Sequence, residues 1–338
     1  MSQGVTLAIV GATGAVGREM LNILEEREFN IKKLFCLADP REAGTRLAFR
    51  NEIITVQAPS PEIFKAADIA LLAVGTDISK ILAPQAVKNK CVAIDNSYAF
   101  RLDKDVPLVV PEVNAKDIWE HKGIIANPNC STIIMTVAIN PIHKVAGLKR
   151  VIVSTYQAVS GAGIGGIEEL ERNIQSNLEG QPFLPEVFQH QIAFNVIPHI
   201  DEFVSEGYTR EEMKMVWESR KIMHTPELKI TATAVRVPVY RSHSESINLE
   251  TERNLSPSEA RDILSAAPGI TVLDDPEKNL YPMPLDAAHK DDVFIGRIRK
   301  DLALDNGLAM WVVSDQIRKG AATNAIQIAE IVAAENLY

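Results

Sequence analysis

Cysteine is scarce in this chain, with only Cys36, Cys91 and Cys130 among 338 residues. Thiols so few and so widely spaced exclude a disulfide framework and a cysteine-based zinc site, and we predict no bound metal. Reduced thiols favour a cytoplasmic location. Cys36 and Cys91 lie in apolar runs typical of buried core residues. Cys130 is therefore the candidate reactive thiol.

The chain also lacks excess basic charge and long apolar runs. Its net charge of −9 disfavours a nucleic-acid partner, which requires a broad basic face. Small anions remain possible ligands. No apolar run approaches the roughly 20 residues that span a bilayer. The apolar stretch near the start follows no basic region, so it predicts a strand and a turn rather than a signal peptide.

The composition that is present, 46% hydrophobic and 23% charged residues, is typical of a globular enzyme, and the length predicts two domains. In the first third, short apolar runs alternate with helical patterns such as Val16–Glu26. This alternation predicts βαβ units and a parallel sheet with helices on both faces. The predicted strands are Val5–Val10, Leu34–Leu37, Ile69–Val74, Val92–Asp95 and Leu108–Val110.

From about Leu148 onward, strand-like segments rich in β-branched residues follow one another, which predicts an α+β second domain with a mixed or antiparallel sheet. Helical patterns near Ile167–Leu178 and Pro257–Ala266 separate them, and an amphipathic helix is predicted at Ile317–Asn336. The predicted strands are Val151–Val159, Ile230–Val239, Ser244–Thr251, Val293–Arg299 and Leu308–Val313.

A glycine-rich turn, Gly11–Gly17 (GATGAVG), joins the first strand to the first helix. Glycines there let the backbone turn sharply and approach a pyrophosphate at the N-terminus of the helix. The pattern is GxxGxxG rather than GxGxxG, but its place at the start of a βαβ pattern favours dinucleotide binding.

The ribose of such a cofactor is expected at the end of the second strand, near Ala38–Gly44. Asp39 there would accept a hydrogen bond from a ribose 2′-hydroxyl group, which favours NAD. Arg41 would pair with a 2′-phosphate, which favours NADP. The residues by themselves leave both cofactors open.

The context of Cys130 is a turn followed by an apolar helical pattern, within Ala126–Met135 (ANPNCSTIIM). A cysteine at the N-terminus of a helix is favoured as thiolate by the helix dipole and the free N–H groups. The same N–H groups suit an oxyanion beside the sulfur. A buried structural role fits poorly, because polar Asn129 and Ser131 flank the cysteine.

A thiol nucleophile needs a base, and His243 is the candidate among seven histidines. Taken alone, a histidine at this position is more often a packing or surface residue. Arg236, seven positions earlier, lies in a strongly apolar strand. A charge in that setting needs a partner, either a protein carboxylate or a bound anion.

Taken together, seven motifs resemble the aspartate-semialdehyde dehydrogenase family, and the resemblance runs over essentially the whole chain. They are GATGAVG, DNSYAFR (Asp95–Arg101), NPNCST, TYQAVSGAG (Thr155–Gly163), EEMKM (Glu211–Met215), RVPVYRSHSE and SDQIRKGAA (Ser314–Ala322).

The resemblance implies an NADP-dependent reduction of aspartyl-4-phosphate to aspartate 4-semialdehyde and inorganic phosphate, in lysine, threonine, methionine and diaminopimelate biosynthesis. It also implies a glyceraldehyde-phosphate-dehydrogenase-like α/β fold and a homodimer. The Rossmann-type NADP-binding domain would comprise residues 1–128 and 316–338, and the α+β catalytic and dimerisation domain residues 129–315.

The family's motifs also imply roles for individual residues. Cys130 would form an acyl-thioester and His243 would act as general acid and base. Substrate contacts would come from Gln157, from Arg236 to the α-carboxylate, from Glu211 to the ammonium group, and from Arg101, Asn129 and Lys214 to the phosphate. Cofactor contacts would come from Gly11, Thr13, Gly14, Ala15, Val16, Arg41, Glu42, Ser160, Gly161 and Gln316.

The chain departs from the family near the ribose. The family commonly has a small hydroxyl residue at the position of Asp39 and often serine at that of Glu42. Two acidic side chains would repel a 2′-phosphate. NADP is nevertheless predicted, and NAD is a possible cofactor because of Asp39 and Glu42. Two alternative functions are considered. One is an enzyme like N-acetyl-glutamyl-phosphate reductase, whose motif usually has glycine before the cysteine and an aromatic residue after it. The other is a non-catalytic paralogue, which would be expected to lose Cys130 or His243.

Overall fold

The computed structural model describes residues 4–338, so the first three residues of the predicted nucleotide domain lie outside it. The strands are β1 (Val5–Val10), β2 (Ile31–Leu37), β3 (Arg46–Phe49), β4 (Glu52–Thr55), β5 (Ile69–Leu72), β6 (Val92–Asp95), β7 (Ile124–Ala126), β8 (Leu148–Gln157), β9 (Phe203–Ser205), β10 (Tyr208–Thr209), β11 (Lys229–Arg236), β12 (His243–Thr251), β13 (Ile270–Val272), β14 (Val293–Lys300) and β15 (Gly307–Ser314). The α-helices are α1 (Ala15–Glu26), α2 (Pro61–Ala66), α3 (Thr76–Lys88), α4 (Pro111–Asn114), α5 (Cys130–Ala146), α6 (Ile164–Leu178), α7 (Arg210–Ile222), α8 (Pro257–Ser265), α9 (Pro284–Ala287) and α10 (Thr323–Ala334).

The chain folds into two compact units. Unit 1 extends to Asn129 and resumes at Ala321–Tyr338, and unit 2 is Cys130–Gly320.

Unit 1 is a parallel sheet of order β2-β1-β5-β6-β7 with a hydrophobic core on each face. Strand β1 shows how the sequence builds it, since all six of its residues are buried. Leu7 and Ile9 join the core that contains α1 and α10, whereas Ala8 and Val10 join the core that contains α2 and α3. The predicted parallel sheet with helices on both faces is confirmed.

The predicted strand at Leu108–Val110 is wrong. Leu108 makes only an isolated parallel bridge to Ala126, and α4 begins directly afterwards at Pro111. The segment lies between Pro107 and Pro111, and proline cannot donate to a ladder hydrogen bond, so the apolar run is too short to extend the sheet.

Unit 2 is built on a mixed six-stranded sheet of order β11-β8-β12-β15-β14-β13, in which β8 and β11 are parallel and β12 is antiparallel to both neighbours. This agrees with the predicted α+β domain. Alternation along β12 gives the sheet one fully buried face, which includes His243, Glu245 and Ile247, and one face of half-buried residues such as Ser246. Helix α5 packs against β8, β12, β14 and β15.

Helix α7 was not predicted from the sequence. Its residues are strongly polar, and its start is fixed by a capping box in which the side chains and backbone N–H groups of Thr209 and Glu212 pair reciprocally. The predicted helix at the chain end divides into a π-helical turn, Arg318–Ala322, followed by α10. None of the helices within residues 4–338 has the length and apolarity needed to cross a membrane.

Candidate active site

The glycine-rich turn of unit 1 depends on two of its glycines. Gly11 has a φ of +87°, and a Cβ atom there would lie 2.3 Å from the carbonyl oxygen of Ala73. A Cβ on Gly17 would lie 2.1 Å from the carbonyl oxygen of Gly11. Neither contact is sterically possible, so only glycine permits this turn. A Cβ on Gly14 would make an ordinary 3.5 Å contact, so steric packing does not require that glycine.

The turn leads directly into the N-terminus of α1. Gly14 is the N-cap and has no side chain to satisfy the first N–H groups, and the helix begins at Ala15 and Val16. These N–H groups and the positive end of the helix dipole form a site for an anion such as a pyrophosphate.

A cavity of about 500 Å³ lies beside this turn. Gly11, Thr13, Gly14 and Glu42 line it as predicted cofactor residues, together with Asp39. Val10, Ala38 and Pro40, which lie in the predicted strand and ribose segment, also line it. Sequence reasoning missed the opposite wall, which comes from the residues after β5, from α3 and from one further proline. A signal was available, because the carboxyl ends of neighbouring parallel strands share one edge of a sheet. The missed residues are Pro59, Ala73, Val74, Gly75, Ile78, Ile81 and Leu82.

At the ribose end of this cavity, Asp39 and Arg41 pair with each other. The Arg41 guanidinium donates from Nε to Oδ1 of Asp39 at 2.8 Å and from Nη2 to Oδ2 at 3.1 Å. The backbone N–H of Arg41 also donates to Oδ1. The side-chain hydrogen bond from Arg41 lowers the pKa of Asp39 to about 2. Any 2′-phosphate therefore competes with a carboxylate for this guanidinium group.

In unit 2, Cys130 is the first residue of α5 and is partly exposed, whereas Cys36 and Cys91 are buried. Burial raises the pKa of these two thiols to about 11 and about 12. Gly320, in the π-helical turn, packs against Cys130, and a Cβ on that glycine would lie 3.0 Å from the cysteine Cβ. As predicted, the three cysteines divide into two core residues and one accessible thiol at a helix N-terminus.

Arg236 ends β11 with 6% of its surface exposed. Its Nη1 donates to the carbonyl oxygen of Ala158 at 2.6 Å, and its guanidinium lies 5.7 Å from the centre of the Phe188 ring. Burial lowers the pKa of Arg236, and the nearby charges of Glu211 and Cys130 oppose that effect. A buried cation close to a thiolate-forming group attracts anionic ligands.

The predicted substrate residues Gln157, Glu211 and Lys214 form one polar chain. The Nε2 of Gln157 donates to Oε1 of Glu211 at 3.0 Å, and Lys214 Nζ donates to Oε2 of Glu211 at 3.1 Å and to Oδ2 of Asp201 at 2.8 Å. Thr155 donates from Oγ1 to Oε1 of Gln157 at 3.3 Å. These contacts fix which end of the Gln157 amide is the donor.

His243 is fully buried at the start of β12. Its Nδ1 accepts the backbone N–H of Ala158 at 3.0 Å. Burial, aided by the charge of Arg236, lowers the pKa of His243 to about 3. The ring is therefore neutral near pH 7 and carries its proton on Nε2. A Cβ on Gly161 would lie 2.7 Å from Nη1 of Arg236 and 3.3 Å from Cε1 of His243, so glycine keeps this space open.

The remaining predicted cofactor residues of unit 2 lie beside His243. The Nε2 of Gln316 donates to Oγ of Ser160 at 2.5 Å, and its Oε1 accepts the backbone N–H of Ser242. Thus unit 2 brings Cys130, Gln157, Ser160, Gly161, Glu211, Lys214, Arg236, His243 and Gln316 into one polar neighbourhood.

Two of the residues predicted to bind phosphate belong to unit 1. Arg101 is buried, and its Nη2 donates to the carbonyl oxygen of Asn96 at 2.7 Å. Asn129 is buried and directly precedes Cys130 in the chain. No cluster of three or more His, Cys, Asp or Glu side chains suited to a metal ion occurs within residues 4–338.

Family profiles match both parts of the chain. The semialdehyde dehydrogenase NAD binding domain matches residues 6–121, and the semialdehyde dehydrogenase dimerisation domain matches residues 139–319. With the Rossmann-type sheet of unit 1 and the mixed sheet of unit 2, these matches define a nucleotide-dependent oxidoreductase of the semialdehyde dehydrogenase class.

Individual relatives narrow this class. Aspartate-semialdehyde dehydrogenase of Aquifex aeolicus is 55% identical over 99% of both chains, and that of Bacillus subtilis is 51% identical over 100% of both chains. The solved aspartate semialdehyde dehydrogenase II of Vibrio cholerae, complexed with ASA, has a TM-score of 0.96 and 45% identity over 98% of this chain and 99% of its own. This chain belongs to the aspartate-semialdehyde dehydrogenase family.

Proposed function

We propose that this enzyme reduces aspartyl-4-phosphate to aspartate 4-semialdehyde and inorganic phosphate, with NADPH as hydride donor and an acyl-thioester on Cys130. The names of the relatives supply the substrate. The observation that carries the mechanism is the position of Cys130, the first residue of a helix, within electrostatic reach of the buried Arg236 guanidinium.

The substrate is held by the polar neighbourhood of unit 2. Arg236 pairs with the α-carboxylate, because a buried guanidinium favours a planar anion that accepts two hydrogen bonds. Glu211 accepts from the ammonium group, and its carboxylate is already oriented by Gln157 and Lys214. Gln157 contacts the substrate at the same end of the site.

Acylation transfers the substrate to sulfur. The Cys130 thiolate attacks the acyl carbon, the bond from this carbon to the phosphate oxygen breaks, and phosphate leaves with the electron pair. The N–H groups at the start of α5 hold the oxyanion of the tetrahedral adduct. Arg101, Asn129 and Lys214 bind the phosphate.

NADPH, when bound, supplies the hydride that reduces the thioester carbonyl. His243 donates from Nε2 to the oxygen of the resulting adduct, because its Nδ1 is already occupied by the Ala158 N–H group. Collapse of that adduct releases the aldehyde and regenerates the Cys130 thiolate. The pKa of His243 is about 3, so His243 can take up a proton only when additional negative charge lies close to the ring.

The residues of unit 1 fit an NADP nucleotide. The N–H groups from Thr13 to Val16 suit the pyrophosphate, and the 500 Å³ cavity has room for part of the nucleotide. Arg41 would bind the 2′-phosphate after exchanging Asp39 for it, and Glu42 lines the same end. A relative from Candida albicans, solved with NADP at 26% identity and a TM-score of 0.78 over 99% of this chain, supports NADP.

Ser160, Gly161 and Gln316 would lie at the nicotinamide ring, beside His243. NAD is the second possible cofactor, because the Asp39 carboxylate can accept a hydrogen bond from a ribose 2′-hydroxyl group.

The enzyme is further proposed to be a cytoplasmic homodimer. The dimerisation-domain match covers most of unit 2. The outer face of its sheet exposes Ile152 and Tyr156, and the ring of Tyr156 packs on Trp311. Apolar side chains on an exposed sheet face are suited to burial against a second copy.

The test of the proposed mechanism is the reverse reaction, phosphate-dependent formation of NADPH from aspartate semialdehyde. We expect Cys130→Ala to lower kcat by at least about 10⁴-fold, because removal of a nucleophile leaves only binding and electrostatic effects. Cys91→Ala is the matched control and should retain activity, because that thiol is buried and unreactive.

Mass spectrometry of enzyme incubated with aspartate semialdehyde and the oxidised cofactor, without phosphate to release the acyl group, should find an aspartyl adduct on Cys130. An active Cys130→Ala variant, or an adduct on another residue, would refute the thioester mechanism.

A further inference from the structure

Glu245 is a buried carboxyl group to which the proposed mechanism assigns no part. It has 0% of its surface exposed, and neither carboxyl oxygen has a hydrogen-bond partner within the described residues 4–338. Its burial raises the pKa of the carboxyl group well above its usual value. A buried polar group without partners is strongly unfavourable, so its presence calls for a functional explanation.

The position of Glu245 connects it with the active site. It lies on β12 two residues after His243, and alternation along the strand places both side chains on the same buried face. Its direct cross-strand neighbours are Thr155 on β8 and Val312 on β15. The next residue on this face of β12 is Ile247, so an apolar residue at position 245 would continue the core.

Among residues 4–338, burial accounts for the shifted pKa of Glu245 without a contribution from any charged neighbour. On the sheet its same-face neighbours Thr155 and Val312 are uncharged, and His243 is neutral. In the covering helix α5 the ionisable residues are Cys130 in the first turn and His143 and Lys144 in the last. A negative charge at Glu245 would also oppose the thiolate and the oxyanion that the reaction forms. A neutral carboxylic acid avoids both effects.

Thr155 is the neighbour that can accept a hydrogen bond from such an acid. Its hydroxyl group donates to Oε1 of Gln157, which leaves its own oxygen able to accept. Directly opposed residues of antiparallel strands have Cβ atoms about 4.5–5.5 Å apart, which is within reach of a glutamic acid side chain. A hydrogen bond from Glu245 to Thr155 would extend the chain Thr155–Gln157–Glu211, whose members are already joined by hydrogen bonds of 3.3 and 3.0 Å.

We propose that Glu245 is a neutral carboxylic acid that, by rotation of its side chain toward its cross-strand neighbour, donates a hydrogen bond to Thr155 and so supports the amide of Gln157 in its substrate-binding orientation. Glu245 is thus a positioning residue. This inference rests on the proposed function, because that function supplies the role of Gln157. The added hydrogen bond would hold the Thr155 hydroxyl group in place and so reinforce the orientation that Thr155 and Glu211 give to the amide.

Three variants test this role. Glu245→Gln keeps the shape and a donor N–H group, so its KM for aspartate semialdehyde should stay within about threefold of wild type. Glu245→Met fills the same space without a donor and should raise this KM by about tenfold or more, while the melting temperature stays equal or rises. Ile247→Met, on the same face, is the matched control and should change the KM less than about twofold.

A wild-type KM in Glu245→Met would overturn the proposal. So would an equal loss in Glu245→Gln and Glu245→Met together with a changed pH profile, because that pattern would make Glu245 a proton-transfer group.

The neutral state is tested without substrate by infrared spectroscopy. At pH 7 the difference between wild type and Glu245→Gln should contain the C=O band of a protonated carboxyl group. Since a raised pKa in the folded state makes stability fall as pH rises above the unfolded value, Glu245→Gln should gain melting temperature over wild type between pH 5 and pH 8. A carboxylate band, or no gain, would refute neutrality. Neither result depends on the reaction, so the thioester mechanism is tested separately by Cys130→Ala.

Discussion

The candidate sites of the two units are built by different means. The nucleotide cavity of unit 1 is formed mainly by backbone groups at the end of β1 and the start of α1, and its few charged side chains are exposed. The thiol site of unit 2 is formed by side chains, and Arg236, Glu211 and His243 in it are each at most 6% exposed. A backbone site depends on where the chain can turn, whereas a side-chain site depends on which charges are buried together.

This difference determines which substitutions damage each site. Exposed charges interact weakly because water and salt screen them. Buried charges interact strongly, and each relies on its partners. Substitutions of charge should therefore be severe in unit 2 and mild in unit 1, whereas substitutions of glycine should be severe at the turn of unit 1.

The largest effect is expected for Arg236→Met. Removing a buried, hydrogen-bonded partner of an anion should lower kcat/KM for aspartate semialdehyde on the order of 10²–10³-fold. The same replacement at Arg172, which is exposed and paired with Glu186, should change kcat/KM less than about twofold. Steady-state kinetics at saturating cofactor measures both. Similar losses in the two variants would contradict the contrast between buried and exposed charge.

In unit 1, Gly11→Ala should destabilise the enzyme by about 2–5 kcal/mol, because it combines a positive φ with overlap against the Ala73 carbonyl. Gly14→Ala is the control, since its Cβ has ordinary space. That variant should unfold like wild type in urea and weaken only nucleotide binding, because the added methyl group faces the pyrophosphate. If both variants unfold at the same urea concentration, backbone geometry does not distinguish these glycines.

A smaller effect is expected from the titration of His243. Its folded pKa of about 3 lies below the unfolded value of about 6.5, so the unfolded state binds more protons between these values. The contribution of His243 to stability is therefore complete above pH 6.5 and falls as pH is lowered, by about 2 kcal/mol at pH 5. Between pH 7 and pH 5, the urea midpoint of unfolding should fall less in His243→Gln than in wild type. Equal falls would show that His243 titrates normally.

The smallest effect is expected for Asp39→Ser. Releasing Arg41 and removing one negative charge should raise the ratio of NADP to NAD affinity by roughly three- to tenfold. Fluorescence titration of both oxidised cofactors at low salt measures this ratio, and the difference should shrink as salt is added. An unchanged ratio would mean that Asp39 does not compete for the cofactor.

Several features could be read from the sequence because they are local. The strand Val5–Val10, the turn Gly11–Gly17 and the helix after it follow from short-range patterns of apolar residues and glycine. The start of α5 at Cys130 follows equally well from an Asn-Pro turn before an apolar helix. By contrast, α7 could not be predicted because its polar sequence lacks a strong apolar stripe. Leu108–Val110 has the apolar pattern of a strand, but the prolines on either side keep it from extending the sheet.

The amino-acid sequence by itself determined the class of the two domains, the glycine-rich turn and the place of Cys130 at the start of a helix, because each depends on neighbours within a few residues. Only the tertiary structure decided the rest: the neutral Nε2–H form of His243, the wall contributed by Ala73–Gly75, and the complete burial of Glu245. Burial and cross-strand contact join residues far apart in the chain, and these two factors set protonation and hydrogen-bond partners.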